Sequence, residues 1–225
     1  MIRDHSLKLK GASAFFWSAI NTGGMQFIGL IFSIVLARLL APEDFGNIAV
    51  IVFIGLVSNI FVDSGLSQSL IRDQDVTKAD YDSVFYFSLA VATLCSICFY
   101  FSADYLAVFF DSPVLKDLIQ IASISPLIHG LMVINATIMT KNLHFKLKAK
   151  LSITSVVVSG FLGVGMAVSG YGVWSLLAMH LLNPGLLMLL MYLTVDWNPA
   201  FQFSFNSIGK HLRFGLKLSL SSLSN

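Results

Sequence analysis

Amide, carboxylate and imidazole side chains interrupt the long apolar stretches of this sequence. Asn21 and Gln26 lie in the first stretch, and Asn59 and Asp63 lie in the second. Asn59 and Asp63 are one helical turn apart, so they share a helix face. Polar groups are costly in an apolar medium and usually face a bundle interior or a cavity, which makes these four residues candidates for a cavity wall. Asp63 is then an ion or proton site, or alternatively a helix cap, which its position just before Gly65 favours.

A second set of candidates lies further along the chain, where His129 and Asn135 share one apolar stretch and His180 lies in another. Each histidine is within a turn of a proline, Pro126 or Pro184. Proline frees a backbone carbonyl and bends a helix. The pattern indicates either hinged helices with titratable cavity residues or hydrogen bonds between helices that satisfy the freed backbone.

A basic loop follows the fourth apolar stretch and could contact negatively charged head groups. Its lysines are Lys141, Lys146, Lys148 and Lys150. The alternative is that they only mark the cytoplasmic side of a membrane and attract anionic lipids. The sequence has no zinc-protease, phosphate-loop or serine-hydrolase motif, and its polar segments are too short for a catalytic domain. We therefore expect no enzyme activity, no cofactor, no metal site and no nucleic-acid partner.

The elements that must position these residues are membrane helices. Of the 225 residues, 56% are hydrophobic and only 12% are charged, and the mean hydropathy is +0.80. Soluble domains carry about 25% charged residues, and a helix crosses a bilayer with about 20 apolar residues. The sequence predicts six spanning helices at about Gly11–Leu36, Phe45–Leu70, Ser83–Ala103, Leu118–Thr140, and two within Leu151–Val195 that are separated by Ser169–Gly172.

The predicted fold class is all-α: a polytopic membrane helix bundle with six transmembrane helices plus the start of a seventh. Residues 1–212 form an N-terminal six-helix transmembrane lobe, and residues 213–225 form the truncated start of a second lobe. A tight, charged turn around Pro42 joins the first two helices into a hairpin. Nearly all lysines and arginines fall on the side of the N-terminus, with Arg38 and Lys116 on the other side. The positive-inside rule therefore predicts a cytoplasmic N-terminus.

Four stretches of the sequence match the motifs of a known family. They are Arg38–Gly46, Asp63–Leu66, Gly170–Leu176 and Arg213–Leu218. The first of them, the turn after the first helix, is similar to an "ARLLxPxDFG" hairpin. Together they resemble the bacterial oligosaccharide and polysaccharide flippases, a branch of the multidrug/oligosaccharidyl-lipid/polysaccharide exporter superfamily, and the resemblance covers essentially the whole chain in order.

The resemblance implies two lobes of six helices around a central cavity. It implies that undecaprenyl-diphosphate-linked oligosaccharide is moved across the bacterial inner membrane for exopolysaccharide, capsule or O-antigen synthesis. The implied partners are this lipid-linked oligosaccharide and membrane lipids, together with a second lobe or glycan polymerase machinery. The sequence departs from the family pattern because it ends in the seventh segment, so we expect a truncated N-terminal half.

Three other functions stay open on the sequence. One is a drug or cation antiporter of the same superfamily. A proton-coupling acidic residue deep in the first helix would favour it, but that helix has no acidic residue. A membrane enzyme of glycan assembly would need a large outside loop, and the longest here is about 104–117. A non-functional fragment is the third.

Overall fold

The chain folds into a bundle of eight helices in a computed structural model that describes residues 2–205 and 207–212, with side chains described from Phe16 onward. The predicted start of a seventh membrane segment, residues 213–225, lies outside the described residues. The helices are α1 Ile2–Leu39, α2 Pro42–Asp63, α3 Leu66–Arg72, α4 Lys78–Phe109, α5 Pro113–Ala122, α6 Ser125–Lys141, α7 Phe145–Val168 and α8 Val173–Thr194.

Six helical stretches in the described part of the chain are long and apolar enough to cross a membrane. This confirms the all-α membrane bundle and the predicted break at Ser169–Gly172, where Gly170 and Gly172 have positive φ angles of 85° and 54°. The candidate spans are Phe16–Leu39, Pro42–Asp63, Lys78–Phe109, Pro113–Lys141, Phe145–Val168 and Val173–Thr194.

The predicted second helix is wrong at its end, because α2 stops at Asp63 and does not continue to Leu70. Ser64 and Gly65 both adopt left-handed backbone conformations, with φ angles of 44° and 72°. This conformation terminates helices, and glycine adopts it without steric cost. The seven residues of α3 then run in a new direction, with Leu66 and Leu70 fully buried.

The predicted fourth helix is likewise divided, into α5 and α6. The division falls at Ser123 and Ile124, directly before Ser125 and Pro126, where a helix can begin but not easily continue. Pro184, in contrast, lies inside α8, which continues through it. Only one of the two proline-associated bends is therefore an actual interruption.

Close helix contacts occur at glycines on α6 and α7. A Cβ added at Gly160 of α7 would lie 2.3 Å from the ring of Phe32 on α1, and one at Gly130 of α6 would lie 2.9 Å from the Cβ of Ala92 on α4. Small residues let membrane helices approach closely. Among the described residues, α1 packs chiefly along α7, and it meets α2 near the turn that joins them, around Leu36 and Phe45.

The segment after α8 folds back over the bundle. Trp197 is buried beside Phe85 of α4, with their ring centroids 5.4 Å apart. The backbone N–H of Ser204 donates to the hydroxyl of Ser83, also on α4, over 2.9 Å. We call residues 195–205 and 207–212 the strap, because they run from the end of α8 across α4 to α3.

Candidate functional site: a polar groove at one end of the bundle

A polar groove of about 320 Å³ opens between α2, α3, α6 and the first turn of α7. One stripe of α6, from His129 to Thr140, forms its floor. At 1.5 Å per residue this stripe extends about 16 Å along the helix axis. The groove is lined by Asp63, Ser67, Gln68, Ile71, His129, Met132, Val133, Ala136, Thr137, Thr140 and Lys148.

The break between α2 and α3 shapes one wall of the groove. Because Ser64 and Gly65 turn the chain, α3 places Ser67 and Gln68 beside the groove, and Asp63 lies at its rim. An Asp63 oxygen also accepts a hydrogen bond from the backbone N–H of Ser67 over 3.4 Å. Asp63 therefore contacts the first turn of the next helix and also lines the polar groove, and its role as an ion or proton site stays a prediction.

Lys148 provides the positive charge of the groove. Its ammonium group donates to the hydroxyl of Thr140 over 3.0 Å, and the side chain is partly buried. Among the residues that the structure describes, no carboxylate lies within 4.0 Å of Lys148, and Asp63 forms no ion pair either. A partly buried ammonium with no carboxylate within 4.0 Å is an energetically favourable place for an anion, since a charged hydrogen bond contributes about 1.5–3 kcal/mol.

The other three loop lysines have different surroundings. Lys141 donates to the carbonyl oxygens of Leu70 over 2.9 Å and of Asp73 over 2.6 Å, so it caps the end of α3. Lys146 lies 5.5 Å from the ring centroid of Trp17, and Lys150 is exposed. The structure thus separates Lys148 from the three lysines with which the sequence grouped it.

The remaining predicted cavity residues do not line this groove. Gln26 is exposed on α1. Asn21 and Asn59 each bury a side-chain oxygen that has no hydrogen-bond partner among the described protein atoms. Nε2 of His180 is also buried and also lacks a hydrogen-bond partner among these atoms. Both polar atoms of the fully buried Asn135 are also without a partner among these atoms. These residues stay candidates for contacts inside the bundle, and the groove itself joins Asp63, His129 and Lys148.

Four polar groove residues are absent from the sequence-based candidates: Ser67, Gln68, Thr137 and Thr140. Ser67 and Gln68 fell in the predicted continuation of the second membrane helix, which hid their position beside a break. The threonines were recognisable only from their spacing, because Thr137 and Thr140 continue the α6 stripe that begins at His129.

Comparison with known proteins identifies the family. Residues 35–225 match the family described as polysaccharide biosynthesis protein, and this range includes the whole groove. The chain belongs to this family. Its membership confirms the resemblance to the polysaccharide flippases that the sequence motifs indicated. No solved structure matches the chain.

Three curated relatives of this chain are transport or biosynthesis proteins of different bacteria. The succinoglycan biosynthesis transport protein ExoT of Rhizobium meliloti (strain 1021) is 27% identical over 210 residues, which cover 93% of this chain and 42% of the relative. The lipopolysaccharide biosynthesis protein WzxC of Escherichia coli (strain K12) is 26% identical over 228 residues, which cover 98% of this chain and 45% of the relative. The teichuronic acid biosynthesis protein TuaB of Bacillus subtilis (strain 168) is 25% identical over 204 residues, which cover 88% of this chain and 42% of the relative. The chain therefore spans less than half the length of these relatives.

Proposed function

We propose that this chain forms the N-terminal half of a transporter that moves undecaprenyl-diphosphate-linked oligosaccharides across the bacterial inner membrane. The observation that carries the proposal is the polar groove, in which Lys148 lies without a carboxylate partner among the described residues. The names of the relatives support an exported polysaccharide as the final product.

The substrate has a diphosphate, a polar glycan and a long apolar chain, and each part needs a different environment. In our proposal the Lys148 ammonium contacts the diphosphate, and the Thr140 hydroxyl, which accepts from Lys148 and donates to the carbonyl of Ala136, orients that ammonium. Gln68 and Thr137 then offer hydrogen bonds to sugar hydroxyls, while His129 marks the inner end of the groove. The apolar chain stays in the lipid, because only the polar parts need shelter from it.

The groove belongs to the cytoplasmic side in this proposal. It lies at the end of the bundle where α2 and α6 finish and α7 begins, which is also the end that carries the basic loop. Placing these lysines in the cytoplasm follows the positive-inside rule and puts the N-terminus there too. The groove would then receive the substrate on the side where its diphosphate linkage is made.

Residues 1–212 form one six-helix lobe in this proposal, and residues 213–225 begin a second. The relatives are more than twice as long as the matched region, which supports a second half of similar size. Sequencing the DNA beyond the codon for Asn225 tests this directly. We expect a second set of apolar spans there, in frame or one frame away; their absence would contradict the two-lobe proposal.

Substrate binding by the purified full chain tests the role of the groove. The chain in lipid nanodiscs is titrated with a short undecaprenyl-diphosphate-linked oligosaccharide, and complexes are counted by native mass spectrometry, with undecaprenol as the uncharged control lipid. Lys148→Met removes the proposed contact. Lys150→Met removes the same charge from an exposed position two residues away and is the matched control.

We expect Lys148→Met to weaken binding about 10- to 150-fold, since a charged hydrogen bond contributes about 1.5–3 kcal/mol. Lys150→Met should bind like the wild type. No binding by the wild-type chain, or an equal loss in the two variants, contradicts the proposed function.

A further inference from the structure

Helix α3 is a wall shared by two cavities. Ser67 and Gln68 line the polar groove, and Ser69 and Arg72 line a second cavity of about 280 Å³ on the other side of the same helix. The second cavity is completed by Asp73, Lys210 and His211. Any movement of α3 therefore changes the width of the groove.

A helix of this length does not hold its position alone. It has seven residues, and isolated helices shorter than about 12 residues are marginal in water. At its first end it is joined to α2 only through the left-handed residues Ser64 and Gly65. Its placement must come from contacts with neighbouring elements, and Leu66 and Leu70 supply part of them within a buried cluster that also holds residues of α4, of α6 and Trp197 of the strap.

The end of the strap makes specific polar contacts with α3. Nδ1 of His211 lies 2.8 Å from the hydroxyl oxygen of Ser69, and the imidazole is only 1% exposed. Its other nitrogen, Nε2, lies 3.7 Å from a carboxylate oxygen of Asp80 on α4. His211 thus lies between α3 and α4, but only its Nδ1 is hydrogen-bonded, to Ser69 of α3, while Nε2 has no hydrogen-bond partner among the described protein atoms.

A second contact lies at the last turn of α3. Lys210 donates to the carboxylate of Asp73 over 2.6 Å, and this hydrogen bond is the largest cause of the lowered pKa of Asp73. Lys210 is well exposed, and exposed ion pairs contribute little to stability. Of the two polar contacts between the strap and α3, the buried one between His211 and Ser69 is therefore expected to contribute more to the position of α3.

We propose that His211 is a positioning residue for the groove: through Ser69 it fixes α3 to the strap, which is itself bonded to α4 through Ser204 and Ser83, and the strap thereby sets the groove width. Ser69 is the residue on α3 through which it acts. The link between groove width and transport rests on the proposed function. The attachment of α3 to the strap through Ser69 and His211 does not depend on that function.

The attachment is tested by a distance measurement on the full chain in nanodiscs without any lipid-linked substrate. Spin labels at Gln68→Cys on α3 and Lys150→Cys on α7 report the distance across the groove. Cys95 and Cys98 are first replaced by alanine, because they are the only native cysteines. Double electron–electron resonance then gives the distance distribution.

Two variants of His211, His211→Asn and His211→Gln, distinguish the roles of its two ring nitrogens. Asparagine can place a polar atom where Nδ1 lies and so retain the bond to Ser69, whereas the longer glutamine places one where Nε2 lies. We expect a wild-type distribution for His211→Asn, and a broader, shifted one for His211→Gln and for the milder Ser69→Ala. Equal distributions in all variants would show that the other contacts of α3, from Leu66, Leu70 and Lys141, hold it without His211. Equal broadening in both His211 variants would show that the bond to Ser69 is not the cause. Either result overturns the proposal.

The same variants distinguish this proposal from the transport role. If Ser69→Ala broadens the distance distribution while the wild-type chain fails to bind the lipid-linked oligosaccharide, the attachment holds and the proposed function fails. If binding is observed but the distributions are all equal, the proposed function stands and His211 is not a positioning residue.

Discussion

The contact between α1 and α7 gives a sharp prediction about packing in this bundle. Gly160 lies under the ring of Phe32, and an added Cβ would be 2.3 Å from two ring carbons and 2.6 Å from a third. The ring cannot easily move, because Phe32 is 8% exposed and lies edge-on against Phe161 with 5.4 Å between centroids. Gly160→Ala therefore has to push α1 and α7 apart or force the ring from its rotamer.

The magnitude follows from two opposing effects. Overpacking of this kind costs about 1–3 kcal/mol, while replacing glycine by alanine inside a helix gains up to about 1 kcal/mol. Gly165 lies on the same helix, and a Cβ there would meet nothing within 4 Å. Since both substitutions share the helix gain, Gly160→Ala should be about 1–3 kcal/mol less stable than Gly165→Ala.

Unfolding of each variant in mixed detergent micelles, followed by circular dichroism, measures this difference. The double variant Phe32→Leu with Gly160→Ala should recover part of the loss, because leucine removes the ring atoms that clash. Equal stability of the Gly160 and Gly165 variants, or no recovery in the double variant, would refute the packing argument.

Three further predictions concern the end of the bundle that carries the groove. Thr77→Ala removes the hydroxyl that caps α4 and should cost about 1 kcal/mol of unfolding free energy, whereas Thr77→Ser should retain most of it. Lys141→Met removes the hydrogen bonds to the carbonyls of Leu70 and Asp73, and should raise amide hydrogen exchange in α3 more than in α7. Burial lowers the pKa of His211 below its ordinary value of 6.5, against the opposing effect of a nearby carboxylate, so the folded state binds this proton less readily than the unfolded state. Its contribution to stability should be constant above about pH 6.5 and fall as the pH drops below that value, and denaturant titrations should show a smaller loss for His211→Asn.

Much of the helix arrangement follows from hydropathy and helix-breaking residues. The charged turn around Pro42 and the glycines around Tyr171 separate the spans where the sequence predicted, since neither turn can continue a membrane helix. Hydropathy could not locate the end of α2, because Ser64 and Leu66 are compatible with a helix by composition. The left-handed turn there depends on backbone conformation, for which Gly65 was the only local signal.

The groove was predictable only in part. Asp63, His129 and Lys148 stood out individually, since charged and titratable groups are rare in apolar stretches. Their common location could not be derived, because it depends on how α6 packs against α2, α3 and α7. The sequence also could not separate Lys148 from Lys141, which differ only in what they contact: a groove in one case, the carbonyls that end α3 in the other.

Photo-crosslinking tests the central claim most directly, which is that the groove holds the polar part of a lipid-linked glycan. A photoreactive phenylalanine derivative replaces Gln68, which lines the groove, or Gln74, an exposed glutamine just beyond α3 that does not. The full chain is irradiated in bacterial membranes that make an undecaprenyl-diphosphate-linked oligosaccharide. We predict a glycan-bearing adduct at position 68, absent at position 74 and suppressed by Lys148→Met. Equal adducts at both positions, or none at position 68, would contradict the claim.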